Sequence, residues 1–232
     1  MKQWMIKSNR ADLSKIAARY KISEILAEVL VKRGLYDWEA MDAYLYPSMD
    51  KLHDVHAIYD LDHAVSIIRN KIENNQKIQV IGDYDVDGVM STSILVKGLR
   101  KLGAEVSWRV PHRERDGYGV RDYMAREAFE QDVDTIITCD NGISAVDAVA
   151  CAKELGMTVI VTDHHDVPLD NETGQELLPP ADAVVDLKRK DNMYPWRELC
   201  GAAVAYRLIE ALFEGREESA FLDELLSMAA VA

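Results

Sequence analysis

Three short stretches of this 232-residue chain gather side chains that can do chemistry. They are Gly82-Asp83-Tyr84-Asp85-Val86-Asp87-Gly88, Asp140-Asn141-Gly142 and Asp163-His164-His165, and each follows an apolar, β-branched run. Carboxylates held within a few ångströms of one another cannot all stay ionised unless a cation sits among them. Oxygen ligands with one or two imidazoles suit Mn²⁺ or Mg²⁺, and imidazole also admits Zn²⁺ or Fe²⁺. Two such ions sharing a carboxylate activate water and clamp a phosphate, which points to hydrolysis at phosphorus. Taken singly, each stretch has a plainer reading. Asp-x-Asp-x-Asp-Gly suits a helix-capping turn or a calcium loop. The calcium loop needs Glu at its twelfth position, and counting from Asp83 that position is Ile94. Asp140-Asn141-Gly142 alone is a common turn, and a lone Asp-His-His suits a surface loop. Their recurrence at three strand ends argues for one site.

The elements that must position these residues follow from hydrophobic periodicity. Runs at 78–81, 105–110, 135–138, 158–161 and 183–185 read as strands, with helical patterns at 91–102, 121–131 and 145–155 between them. Such alternation predicts an α/β fold, a mostly parallel open sheet flanked by helices. All strand C-termini then share one edge, where open sheets bind ligands. That edge receives Asp85, Asp87, Asp140, His164 and Asp163. Two further helices are predicted, at 201–213 and from about 217 onward. Residues 1–75 carry only helical patterns and read as an N-terminal extension, with a helix start at Ser23-Glu24, a stop at Gly34 and a further helix at 61–72. The sheet domain is expected over 76–232.

Composition bounds the alternatives. A formal charge of −13 excludes a simple electrostatic DNA-coating protein, while 48% hydrophobic residues provide a core. No apolar run is long enough to span a bilayer, and the first residues lack an apolar signal core, so a cytoplasmic location is expected. Cys139, Cys151 and Cys200 are too few and too widely spaced for a disulfide framework or zinc site, and read as reduced thiols. The acidic total has a local exception in Arg109, Arg113, Arg115, Arg121 and Arg126. This stretch either cradles the phosphates of a single strand, with Tyr118 as a stacking face, or pairs with Glu114 and Asp116. Lys188, Arg189 and Lys190 with Tyr194 and Trp196 form a second strip that reads better as an exposed loop with a buried aromatic.

The three motifs together resemble the DHH phosphoesterase family, named for the triplet that stands here as Asp163-His164-His165. PHRERDGYG (111–119), LCGAAVAYRL (199–208), Arg33-Gly34 and Leu45-Tyr46-Pro47 are similar to the RecJ branch, single-strand-specific 5′→3′ DNA exonucleases. The resemblance implies that Asp83, Asp85, Asp87, Asp140 and His164 hold metal, with Asp140 bridging two Mn²⁺ or Mg²⁺ ions. It implies that His165 faces the scissile phosphate, that Asp163 orients an imidazole, and that His112, Arg113 and Tyr118 touch single-stranded DNA. Other DNA repair and recombination proteins are expected partners. Three departures stand out. His112 replaces the usual Asn. Asp186-Leu187 replaces a common Asn-Pro, making Asp186 either an extra carboxylate or, the larger share, a turn or cap. The chain also stops before a segment carrying a further metal-binding Asp and before the branch's second domain. Two alternatives stay open: a phosphodiesterase acting on small nucleotides, which the DHH triplet alone does not exclude, and an inactive fragment, which the last departure motivates.

Overall fold

A computed structural model of the chain describes residues 11–117 and 119–232. The chain divides into two compact units between Leu52 and His53. In the first, α1 (Leu13–Tyr20), α2 (Glu24–Lys32) and α3 (Trp38–Leu45) begin at Asp12, Ser23 and Asp37, whose side chains accept from the amides of Lys15, Leu26 and Ala40. Their inward faces bury Ile16, Tyr20, Ala27, Val31 and Met41 together.

The second unit holds α4 (Leu61–Glu73) and the whole sheet. Its strands are β1 (Ile78–Ile81), β2 (Val106–Arg109), β3 (Thr135–Cys139), β4 (Thr158–Asp163) and β5 (Ala183–Asp186). All neighbouring pairs are parallel, in the order β2-β1-β3-β4-β5. Side chains alternate between two cores, as a doubly covered sheet requires. Ile78, Val80, Ile137, Cys139, Ile160 and Val185 face one, and Ile81, Ile136, Val159, Val161 and Val184 face the other. Helices α5 (Val86–Lys101), α8 (Gly201–Leu212) and α9 (Ser219–Ala229), with α4, cover the first face. Helices α6 (Asp122–Glu130) and α7 (Val146–Glu154) cover the second. The expected α/β architecture is therefore present. The periodicity of 61–72 named the correct buried face, Leu61, Ala64, Val65 and Ile68, but that face packs in the sheet's core. Helix α4 thus lies in the sheet unit. Among the described residues, no helix is long and apolar enough to cross a membrane.

Strand order fixes where a ligand can enter. From β1 the chain crosses to β2 on one side, and from β3 it proceeds to β4 and β5 on the other. The loops after β1 and β3 therefore diverge and leave a crevice at the carboxyl edge, the switch point of an open sheet. The first two acidic motifs occupy those two loops.

Candidate metal centre

The β1 loop does two structural tasks with carboxylates. Asp85 is the N-cap of α5, its Oδ1 accepting from the Gly88 amide at 2.9 Å. The helix thus begins at Val86, ahead of the stretch where the apolar pattern becomes regular. Asp87, in the first turn, accepts from Gly201 N and Ala202 N at 2.7 and 2.6 Å. It serves as the acceptor at the start of α8, whose own N-cap residue Cys200 offers no side-chain bond. Asp83 is buried at 2% exposure, and its Oδ1 has no hydrogen-bond partner. Burial raises its pKa, opposed by the Tyr84 amide and reinforced by Asp85.

Asp140 stands at the end of β3 in a left-handed conformation, φ 57°. Burial pushes its carboxyl pKa up to about 6, against the hydrogen bond from His164 and with repulsion from Asp87 and Asp85. His164 Nε2 lies 2.9 Å from Asp140 Oδ1 and 3.4 Å from Asp87 Oδ2. The contact with Asp140 raises the imidazole's pKa, while burial opposes it. A β-carbon at Gly201 would come 2.7 Å from the Asp140 side chain, so only glycine allows α8 to approach so closely. Asn141 ties the two loops together, its Nδ2 donating to Gly82 O at 2.7 Å.

The third motif is built around Asp163. Its Oδ1 accepts from the amides of His164 and His165 and from His165 Nδ1 at 2.7 Å, and its Oδ2 accepts from Ile143 N at 2.9 Å. The carboxylate therefore orients the His165 ring, and with Nδ1 engaged any exchange with substrate runs through Nε2. The pair raises the His165 pKa to about 9, against desolvation.

Ligand-type atoms converge in two groups. Those of Asp83, Asp85 and Asp140 all lie within 4.8 Å of one another, and so do those of Asp140, His164 and His165. Asp140 belongs to both. Asp87 lies beside the second group, through its 3.4 Å approach to His164. The unpartnered, buried oxygen of Asp83 and the mixed carboxylate and imidazole donors fit divalent cations that accept oxygen and nitrogen ligands.

The residues expected to touch substrate are less concentrated. Arg113 lies over the Tyr84 ring, 5.4 Å from its centroid, which places its charge above the β1 loop. His112 is exposed in the following turn, where its amide donates to Asp116. Tyr118 lies outside the described residues. Other arginines of this stretch are engaged internally: Arg109 with Glu127, Arg115 with Asp116, and Arg121 with the Asp116 carbonyl. In the second strip the buried Arg189 pairs with the exposed Asp191 and Lys188 pairs with Glu198, so it is chiefly structural.

Asp186 closes β5 and lies outside both ligand groups. Its Oδ1 accepts from Lys188 N at 2.7 Å, a turn-forming contact. Its Oδ2 is buried without a partner, and Asp186 is the register partner of Asp163 at the strand ends. Burial raises its pKa to about 7. Tyr84 and Asn141 were not singled out from sequence. Both sit inside the first two acidic motifs, but only the fold shows what their side chains meet.

The family model of the DHH family, N-terminal domain, matches residues 77–232. The chain belongs to the DHH family. Among curated DHH relatives, it is 36% identical over 230 residues to the single-stranded-DNA-specific exonuclease RecJ of Bacillus subtilis, covering 99% of this chain and 28% of that protein. To the RecJ of Haemophilus influenzae it is 40% identical over 156 residues, covering 67% and 26%. Of the solved structures, exonuclease RecJ bound to manganese superposes with a TM-score of 0.66 at 32% identity, over 78% of this chain and 45% of that one. RecJ of Thermus thermophilus in complex with Mn²⁺ gives 0.68 at 27% identity, over 97% and 31%. The chain thus spans between a quarter and a third of the length of these curated relatives.

Proposed function

We propose that this DHH domain is the catalytic part of a RecJ-type exonuclease, a metal-dependent phosphodiesterase that removes nucleotides from the 5′ end of single-stranded DNA. The observation that carries the reading is the double membership of Asp140, which lets Asp83, Asp85 and Asp140 hold one Mn²⁺ or Mg²⁺ and Asp140 and His164 hold another, with Asp87 adjoining. Bound there, divalent cations polarise phosphoryl oxygens and lower the pKa of water. His165 keeps its proton at neutral pH through Asp163, so it presents a positive hydrogen-bond donor where charge develops on the phosphate. Asp163 acts through His165, fixing ring orientation and tautomer. Arg113, with Tyr84 beneath it and His112 next to it, holds the incoming strand, and Tyr118 belongs to the same segment. The names of the relatives favour single-stranded DNA over small nucleotides as substrate. A role in DNA repair and recombination in the cytoplasm, alongside other repair proteins, follows from that substrate.

The test uses the intact protein that carries this chain, with Mn²⁺, on 5′-phosphorylated single-stranded and duplex oligonucleotides. Mononucleotides are expected to appear from the single strand alone, and Asp140→Ala is expected to abolish their release. Equal digestion of duplex, or full activity in the Asp140→Ala protein, would sink the proposal.

A further inference from the structure

A cavity of about 410 Å³ opens beside the metal centre, on the α6 and α7 side of the sheet edge. His165 and Asp163 form its inner wall, and the remaining walls come from residues 119–122 and 142–148. Its size lies within the roughly 300–1,000 Å³ of small-molecule sites. His165 is thus shared, belonging to the ligand group of Asp140 and His164 and also lining this cavity. A phosphate bound at His165 would lie next to the cavity, within reach of it through an ester arm.

The walls select among the parts of a nucleotide. Val120, Ile143 and Ala148 are buried and line the cavity with apolar surface, while Ser144 and Arg121 are exposed and polar. Neither α6 nor α7 has a side-chain cap at its start, so first-turn amides face this region without a capping oxygen. Each of those first turns also carries a lining carboxylate, Asp122 and Asp147. Three lining carboxylates, Asp122, Asp147 and Asp163, against Arg121 and His165 oppose a second phosphate here. A neutral group with an apolar face and hydrogen-bonding edges suits the mixture, and a sugar with its base is such a group.

We propose that this cavity is the subsite for the nucleoside attached to the scissile phosphate. The assignment rests on the phosphodiesterase reading above and adds where one DNA residue's sugar and base are held. It predicts that bulk introduced at Ala145, a half-buried lining residue, excludes the nucleoside and spares the phosphate.

Titration of the ¹⁵N-labelled 232-residue chain with Mg²⁺ and either inorganic phosphate or 2′-deoxyadenosine 5′-monophosphate tests this by amide NMR. Phosphate is expected to shift His164 and His165 signals. The nucleotide is expected to shift Val120, Ser144, Val146 and Ala148 in addition. Ala145→Trp is expected to weaken the nucleotide by about tenfold or more, ~1.4 kcal/mol, and to leave phosphate unchanged. Identical shift patterns for the two ligands in the natural chain would overturn the cavity assignment alone, whether or not the variant folds. No shift at His164 or His165 with phosphate would remove the phosphodiesterase reading and this assignment with it.

Discussion

Asp140 belongs to both ligand groups because β3 ends between β1 and β4, so its terminal carboxylate is reached from the loops of either neighbour. Its pKa of about 6 has a direct consequence for cation binding. The ionised form binds the cation, and His164 must also shed the proton that its contact with Asp140 favours, so Mn²⁺ affinity should climb with pH through ~6 and go on climbing until the imidazole is neutral. Mn²⁺ titrations between pH 5 and 8 would show that rise, and a pH-independent affinity would contradict it. Asp186 gives a stability prediction of opposite sign. Its carboxyl titrates near pH 7 in the fold against an ordinary value near 3.8, so the folded chain holds this proton more tightly than the unfolded one. The associated stability is full below pH ~4 and is lost as pH rises through ~7. In chelator, Asp186→Asn should therefore raise stability at pH 8 by about 1–3 kcal/mol and give no gain at pH 4. Urea denaturation at the two pH values checks this. At this scale, residue types and spacing placed Asp85, Asp87, Asp140, Asp163 and His164 at one sheet edge, and in the structure the ligand-type atoms of Asp83, Asp85, Asp140, His164 and His165 lie close together. The unpartnered oxygen of Asp186 was not legible, because its burial depends on the tertiary packing around the end of β5.

Helix α8 meets the metal centre through two contacts made by distant residues. Asp87 accepts from its first amides, and Gly201 lies against Asp140. Asp87→Ala should accordingly cost about 1–2 kcal/mol, the usual range for a lost helix cap, and lower Tm. The same variant should weaken Mn²⁺ binding, because α8 would lose the contact that seats it beside Asp140. A thermal melt with and without Mn²⁺ separates the two effects, and an unchanged Tm in chelator would contradict the capping role. Strand positions were readable from β-branched runs, and the helices from their periodicity. The start of α5 was not, since Asp85, Asp87 and Gly88 are turn formers by type and become a cap and first turn only through the Asp85–Gly88 bond. Helix α4 shows the complementary gap. Its amphipathic stripe stated that one face is buried without stating which partner buries it.

Across the whole molecule, a formal charge of −13 repels nucleic acid at long range, so the DNA contact of the proposed function depends on local positive groups. Arg113 over Tyr84 is one such group beside the centre, whereas Arg109 and Arg115 are neutralised by Glu127 and Asp116. In the intact protein, Arg113→Ala should raise KM for single-stranded DNA with little change in kcat. It should also reduce the slope of log affinity against log salt by about 0.7. The same substitution at Arg115 should leave that slope unchanged, and equal effects at both positions would contradict the distinction. The acidic total is partly a property of the centre, since Asp83, Asp85, Asp87, Asp140 and Asp163 lie together at one sheet edge. The measurement that tests the central claim most directly is anomalous diffraction from crystals of this chain soaked in Mn²⁺. Two peaks flanking the Asp140 carboxylate, one beside Asp83 and Asp85 and one beside His164, are the predicted result. A single peak that does not touch Asp140, or none at this sheet edge, would contradict the account.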